Sequence, residues 1–281
     1  GVPIALINGR ISTRAARRAR WGRWWFGRML DGIELFLMQT PDDAGRIVGL
    51  GAPADRVRVL GSLKWDASLS TAPRAEQITA VADQLGIKLE EPLIVAGSTH
   101  RTEEHAVLEA FGAVRERLPR ARLILAPRHI ERAAEIESLV RGRGLGVGRV
   151  SGLGGAAGPW DVMIVDVIGQ LPRYYALASV VFVGGSLIPH GGQNPLEAAG
   201  LGKPVIFGPS MENFADIANQ LLVHQAACQV PTAAHLATTL QRFLTDPEEA
   251  RLMGARARSL VERLSGATQK TLEALDSLLI R

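Results

Sequence analysis

Val180-Val181-Phe182-Val183-Gly184-Gly185-Ser186-Leu187-Ile188-Pro189-His190-Gly191-Gly192-Gln193-Asn194-Pro195-Leu196-Glu197 is the stretch whose reading decides the fold. Four apolar residues in a row, without polar alternation, read as a strand buried on both faces, as in a parallel sheet. Two glycines then let the backbone turn and approach a ligand. Pro195 is suited to a first helical turn, so a helix is expected from there, with the preceding glycines leaving N–H groups open to an anion. Glu197 falls in that first turn, where it can bond ribose hydroxyls or simply favour the helix dipole. A loop this rich in Ser, His, Gln and Asn points to ligand binding.

The same pattern extends outward in both directions. Runs at Val2–Ile7, Leu35–Met38, Val57–Leu60, Leu93–Ala96, Leu123–Ala126, Val162–Val165 and Val205–Phe207 read as further buried strands. Helical patterns separate them, among them 74–85, 103–118, 130–140, 213–225 and 233–244. Asp246 caps one or two closing helices over 247–280. Alternation of this kind makes an α/β, doubly wound fold. Thr71-Ala72-Pro73 reads as a linker, which sets a boundary between residues 67 and 68. Residues 68–281 then hold five strands, a complete nucleotide-binding domain with its closing helices. Residues 1–67 hold three, the rear part of a larger domain. The Gly-rich segment 142–158 is expected to be a flexible loop.

In such a sheet, ligands bind beyond the carboxyl ends of the strands. Gly97-Ser98-Thr99-His100 follows one strand, with Thr99 or Thr102 as a helix cap or Ser98 as a ligand contact. Pro127-Arg128-His129 follows the next and aims Arg128 at a phosphate or carboxylate, or at a surface salt bridge. Asp166 caps a helix or contacts a base or sugar, and Ile168-Gly169 forms a turn that permits close approach. Asn213 caps a helix or touches the ligand. There is no Gly-x-x-x-x-Gly-Lys-Ser/Thr loop and no Asp-x-Asp, and the six His lack metal-ligand spacing.

Composition narrows the class. Apolar residues are 47% and charged residues 21%, enough for a sizeable core and against disorder. The single Cys228 excludes an intrachain disulfide and fits a reducing compartment. The net charge of +4 does not by itself imply nucleic acid. Its placement matters more. Between Gly1 and Leu30 there is no acid and there are seven Arg, including Arg10, Arg14, Arg17 and Arg18, interleaved later with Trp21, Trp24 and Trp25. That density suits a helix on an anionic membrane surface, or a buried aromatic face with a solvated Arg face. No nucleic-acid partner is expected, since no basic patch continues downstream.

Six stretches, in this order and spacing, closely resemble those of bacterial 3-deoxy-D-manno-octulosonic acid (Kdo) transferases. They are Asn8-Gly9-Arg10-Ile11-Ser12, Gly61-Ser62-Leu63-Lys64-Trp65-Asp66, Gly97-Ser98-Thr99-His100, Pro127-Arg128-His129, Gly184-Gly185-Ser186 and Gly191-Gly192-Gln193-Asn194-Pro195-Leu196-Glu197. The resemblance implies the two-domain B-type glycosyltransferase fold. The acceptor side would lie in 1–67 and the donor-nucleotide side in 68–281. It implies inverting, metal-independent transfer of Kdo from CMP-Kdo to a lipid A precursor, at the cytoplasmic face of the bacterial inner membrane, with no cofactor. By that resemblance Arg128 and the Gln193-Asn194 helix start stabilise the leaving CMP, Glu197 holds the ribose, and Ile168-Gly169 lines the cytosine. Ser98, Lys64, Gly184, Gly185, Ser186 and Gly192 complete the donor contacts. Arg10, Arg14, Arg17, Arg18, Trp24 and Trp25 would face acceptor or membrane. The carboxylate expected as general base lies in a front portion outside these 281 residues, so little activity is expected from this chain alone. Gln170 stands where the family usually has Glu. The alternatives are a UDP-sugar-dependent B-type glycosyltransferase or epimerase, and a non-enzymatic nucleotide- or lipid-binding module.

Overall fold

Leu35–Met38 forms the central strand of the first sheet, with all four side chains buried. In this computed structural model residues 2–19, 23–88 and 91–279 are described. The first sheet has the order β1 (Ala5–Gly9), β2 (Leu35–Met38), β3 (Val57–Val59), all parallel. Helices α1 (Thr13–Ala19) and α2 (Arg23–Leu30) lie between β1 and β2, and α3 (Pro41–Gly49) and α4 (Leu63–Ser70) flank β3 in the chain. The Thr40 hydroxyl accepts the Asp43 N–H and starts α3, with Pro41 in its first turn. Because alternate strand residues face opposite sides, Phe36 and Met38 pack with Ile47 and Ala52 on one face.

The second unit runs from Thr71 to Val261. In chain order it contains α5 (Ala75–Leu85), β4 (Leu93–Thr99), α6 (Glu103–Arg117), β5 (Arg122–Pro127), α7 (Ala133–Arg141), β6 (Val147–Arg149), β7 (Val162–Ile164), α8 (Leu171–Leu177), β8 (Val180–Val183), α9 (Leu196–Gly200), β9 (Val205–Phe207), α10 (Ala215–Val223), β10 (Cys228–Gln229) and α11 (Ala233–Thr245). Its parallel sheet has the order β10-β9-β8-β4-β5-β7-β6. The strands carry the apolar runs read from the sequence, and their side chains form one core with Phe111, Ile136, Leu240 and Phe243 from the covering helices. The chain moves one way from β4 through β5 and the other way through β8. A crevice therefore opens beyond the carboxyl ends of β4 and β8, where the order reverses.

Two expectations are corrected here. The second sheet has seven strands rather than five. Within the Gly-rich 142–158 segment, Val147–Arg149 pairs with β7, and β10 is a two-residue strand beside β9. The segment is pinned because Asp166 accepts from the Arg149 guanidinium and from the Ser151 N–H and hydroxyl. Asp166 therefore neither caps a helix nor stands open to a ligand. Burial alone would raise its pKa, but Ser151 and Arg149 hold it below the usual carboxylate range.

The second correction concerns the boundary. Helix α12 (Pro247–Leu264) opens with Asp246 accepting the Glu249 N–H, as expected of its cap. The closing helix α13 (Ala267–Leu279) then belongs with the first unit, which comprises Gly1–Ser70 and Glu262–Arg281. Asp66 on α4 accepts the N–H groups of Gly266, Ala267 and Thr268 at 2.7, 3.1 and 3.4 Å, capping α13. Ala274 packs on Leu35 and Leu37, the face of β2 opposite α3. A lone three-stranded sheet must cover both faces, and the chain returns to cover the second.

Candidate functional site

The site is built where β4 and β8 end side by side. Gly184 N–H donates to the Gly97 carbonyl, and a Cβ on Gly184 would stand 2.6 Å from Ser98 O and Thr99 Cα. Only glycine allows this approach of two backbones. Ser98 itself has φ +55°, a costly conformation for a residue with a Cβ, and its hydroxyl has no hydrogen-bond partner among the described residues. Held strain of this kind is characteristic of functional sites.

Directly beyond, the Glu103 carboxylate is 1% exposed. One oxygen accepts the N–H groups of Gly185 and His100 at 2.7 and 3.2 Å, the other those of Ser186 and Leu187 at 3.0 and 2.9 Å. Burial raises the Glu103 pKa, while these four N–H groups oppose the rise. Beside it the Ser186 hydroxyl donates to the Val183 carbonyl and accepts the Gly208 N–H, tying the ends of β8 and β9.

Above this floor lies a cluster of imidazole and guanidinium groups. The His100 ring is 3.8 Å from that of His190 and 5.7 Å, edge-on, from that of His129. The Gln193 amide nitrogen lies 3.0 Å from His100 Nε2. His100 is 7% exposed. Burial, and then the neighbouring His190, His129, Arg128 and Arg132, lower its pKa from the ordinary 6.5 to about 4. The Arg132 guanidinium is matched by Glu104, at 2.7 Å. The Arg128 guanidinium is exposed and has no carboxylate partner among the described residues. Its backbone N–H donates to the Thr99 carbonyl, which sets Arg128 at the rim. Gln193, His190 and Arg128 thus converge around a neutral imidazole, with unmatched positive charge suited to an anion.

The predicted residues divide accordingly. Ser98 lies at the end of β4, Arg128 is tied by its N–H to the Thr99 carbonyl, and Gln193 lies against His100, so all three stand at the carboxyl ends of the strands. Gly184, Gly185 and Ser186 belong to its floor, and their polar groups are engaged internally rather than offered to a ligand. The expectation of open N–H groups is corrected for residues 191–193. Helix α9 begins at Leu196 and has five residues. The Gly191 N–H donates to the Ser210 hydroxyl, that of Gly192 to the Gly185 carbonyl and that of Gln193 to the Gly184 carbonyl. The N–H groups of 191–193 are therefore not open to a ligand. The Asn194 side-chain oxygen accepts the Leu196 N–H at the start of α9. Glu197 is half-buried, its pKa raised by burial and opposed by its bond to Asn194.

Asn213 neither caps α10 nor stands free: its amide donates to the His190 carbonyl and its N–H to that of Gly191. Neither Thr99 nor Thr102 caps α6. The Thr99 hydroxyl donates to Glu104, and the Thr102 side chain makes no cap bond. Ile168, 82% exposed, and Gly169 form the turn before α8, where Gln170 accepts from the Tyr174 hydroxyl.

Lys64 is exposed on α4 of the first unit. Arg10, Arg14, Arg17 and Arg18 are exposed there too, the last three on α1. Trp24 and Trp25 belong to α2, but their side chains, like all of Trp21, lie outside the described residues. Glu103, His100 and His190 are the residues that sequence reasoning did not single out. A Glu at a helix start reads as ordinary dipole chemistry, and its partners lie 82 to 84 positions away. Among the described residues no group of three His, Cys, Asp or Glu is arranged to hold a metal. No described helix is long and apolar enough to cross a membrane.

Comparison with known proteins agrees with this geometry. Residues 1–67 match the family described as 3-Deoxy-D-manno-octulosonic-acid transferase (kdotransferase). The chain is 36% identical to the 3-deoxy-D-manno-octulosonic acid transferase of Bordetella pertussis, over 99% of its own length and 64% of that protein's. It is 29% identical to the corresponding transferase of Haemophilus influenzae, over 100% and 65%. The chain thus spans less than two thirds of these relatives. Among solved structures, the C-terminal CMP-Kdo binding domain of WaaA from Acinetobacter baumannii superposes with a TM-score of 0.62 and 28% identity, covering 70% of this chain and 98% of that one. Anabaena Alr3699/HepE, in complex with UDP and glucose, shares the fold at a TM-score of 0.56 and 15% identity, over 98% of this chain and 72% of its own. Two parallel-sheet α/β units, a crevice at the reversal of strand order and similarity along the full chain place this protein, with its B-type glycosyltransferase fold, in the 3-deoxy-D-manno-octulosonic acid transferase family.

Proposed function

We propose that the second unit binds CMP-Kdo in the crevice between β4 and β8, and that the whole protein transfers Kdo from it to a lipid A precursor. The observation that carries this reading is the Arg128 guanidinium, without a carboxylate partner among the described residues, beside the packed His100 and His190 rings and the Gln193 amide, in a unit similar to one whose name records CMP-Kdo binding. CMP-Kdo presents a phosphate and a sugar carboxylate, both anions. As the bond to CMP breaks, charge grows on the phosphate. Arg128 and the Gln193 amide are placed to stabilise it, an effect that raises the rate because it is stronger in the transition state. Glu197 holds the ribose, and the Ile168-Gly169 turn lines the base. Ser98, with its unpartnered hydroxyl, is a further donor contact. Transfer is inverting and needs no metal, and its general base lies outside the residues named here, so transfer by this chain alone is weak.

On the first unit, α1 presents Arg14, Arg17 and Arg18 to solvent without a hydrogen-bonded or ion-paired partner among the described residues. This supports an acceptor side that meets phosphorylated lipid at an anionic membrane surface, the cytoplasmic face of the bacterial inner membrane.

Calorimetric titration with CMP, against UMP as control, tests the donor reading. CMP binding is expected, and Arg128→Ala is expected to weaken it by about tenfold or more, the worth of one charge-assisted contact. Preference for UMP would instead indicate a UDP-sugar enzyme. Vesicle binding without nucleotide binding would indicate a lipid-binding module.

A further inference from the structure

The loop after β8 is shaped to hold an anion. Gly185, at φ +65°, turns three consecutive N–H groups, those of Gly185, Ser186 and Leu187, toward one point. Successive N–H groups in such a turn form a nest for negative charge. In this protein the anion comes from the chain itself. Glu103 reaches in from the first turn of α6 and fills the nest with both carboxylate oxygens, while also taking the His100 N–H. A side chain without acceptor oxygens would leave these buried donors unpaired.

The nest is also the underside of the crevice. A Cβ on Gly185 would stand 3.3 Å from His100 Cδ2, 3.3 Å from His190 Cδ2 and 3.4 Å from Gln193 Cγ. The Gly192 N–H donates to the Gly185 carbonyl, so the residue under the cluster also sets the turn leading to Gln193. Whatever fixes Gly185 fixes the spacing of His100, His190 and Gln193.

We propose that Glu103 is a built-in anion that locks the β4 and β8 loops into their binding geometry, and that its removal creates a site for a small free carboxylate such as formate. Glu103 is a positioning residue, since it touches the loop and not the ligand. The effect on nucleotide affinity rests on the donor-crevice reading. The creation of a formate site does not, so the two fail separately.

The test uses the full chain with Glu103→Ala. Thermal unfolding is followed with added sodium formate, and with sodium chloride at equal ionic strength, and CMP affinity is measured in both salts. Formate is expected to raise the Tm of the variant by several degrees more than chloride does, and to leave the wild type unmoved. CMP affinity of the folded variant is expected to fall about tenfold and to recover within about threefold in formate. A residue that merely stabilised the fold would lower Tm but leave CMP affinity of the folded fraction unchanged. Equal Tm shifts in both salts together with wild-type CMP affinity overturn the proposal. Folding of Glu103→Ala only in formate supports it. If that variant does not fold in either salt, Glu103→Gln, which keeps the volume but sets an amide against the N–H donors, decides. Tenfold weaker CMP binding by that variant supports the proposal, and wild-type binding overturns it. Formate rescue of Tm in a protein whose wild type binds no CMP upholds the nest and removes the donor reading.

Discussion

Acid should loosen this protein through His100, and by an amount that the structure sets. The imidazole is 7% exposed, lies 3.8 Å from His190 and is faced by Arg128, Arg132 and His129. Its folded pKa is about 4, against an ordinary 6.5. Between those values the unfolded chain binds a proton at this residue that the folded chain does not. Stability therefore falls as pH drops from 6.5 toward 4, and the loss is complete below 4. At about 1.4 kcal/mol per pH unit the full loss is about 3 kcal/mol, of which about 2 kcal/mol has appeared by pH 5.

The perturbation is His100→Gln, which removes the titrating group but keeps a polar side chain. Urea melts of both proteins at pH 7, 6, 5 and 4.5 report the difference in unfolding free energy. Titrations of groups away from His100 cancel in that difference, so it should move by about 2 kcal/mol in the variant's favour between pH 7 and 5. A difference constant within about 0.5 kcal/mol over that range would refute the argument, because it would mean that His100 titrates in the fold as it does in the unfolded chain. The same electrostatics predict that a bound anion draws a proton onto His100. Nucleotide titrations below pH 6, run in buffers of different ionisation heat, should then show net proton uptake.

Other expectations follow from single contacts. Asp66→Ala leaves three N–H groups of α13 uncapped and should cost about 1–2 kcal/mol, read as faster hydrogen exchange confined to α13 and β2. Gly97→Ala places a methyl 2.0 Å from the Tyr175 hydroxyl at the root of the crevice. It should destabilise by about 1–3 kcal/mol or more in a urea melt, since both backbone and ring are buried. Asp166→Ala frees Ser151 and leaves Arg149 only its 3.8 Å pair with Glu137, and limited proteolysis should then cut within 150–158, where the wild type resists. Reversing Arg14, Arg17 and Arg18 to Glu should abolish flotation with anionic vesicles while leaving CMP binding intact. Unchanged flotation would remove the membrane reading.

The strands were legible because their residues are buried on both faces. Leu35–Met38, Val180–Val183 and Val205–Phe207 end where the apolar runs end. Val147–Arg149 and Cys228–Gln229 were not legible. A run of two or three residues containing Gly or Gln has no hydrophobic period, and only pairing with a neighbouring strand makes it a strand. Arg128 and Gln193 could be placed from their position after a strand, because a parallel sheet collects its loops at one edge.

Local pattern and short-range motif thus determined, from the sequence alone, the fold class, the edge of the sheet at which its loops collect and the family. Tertiary structure alone decided which polar groups remain open. Glu103 consumes the N–H groups of 185–187, Ser210 and the loop carbonyls consume those of 191–193, and Asp66 draws the last helix back to the first unit. These hydrogen bonds join residues 7 to 202 positions apart. Whether a donor is already satisfied depends on what the folded chain brings to it, and no local spacing carries that information.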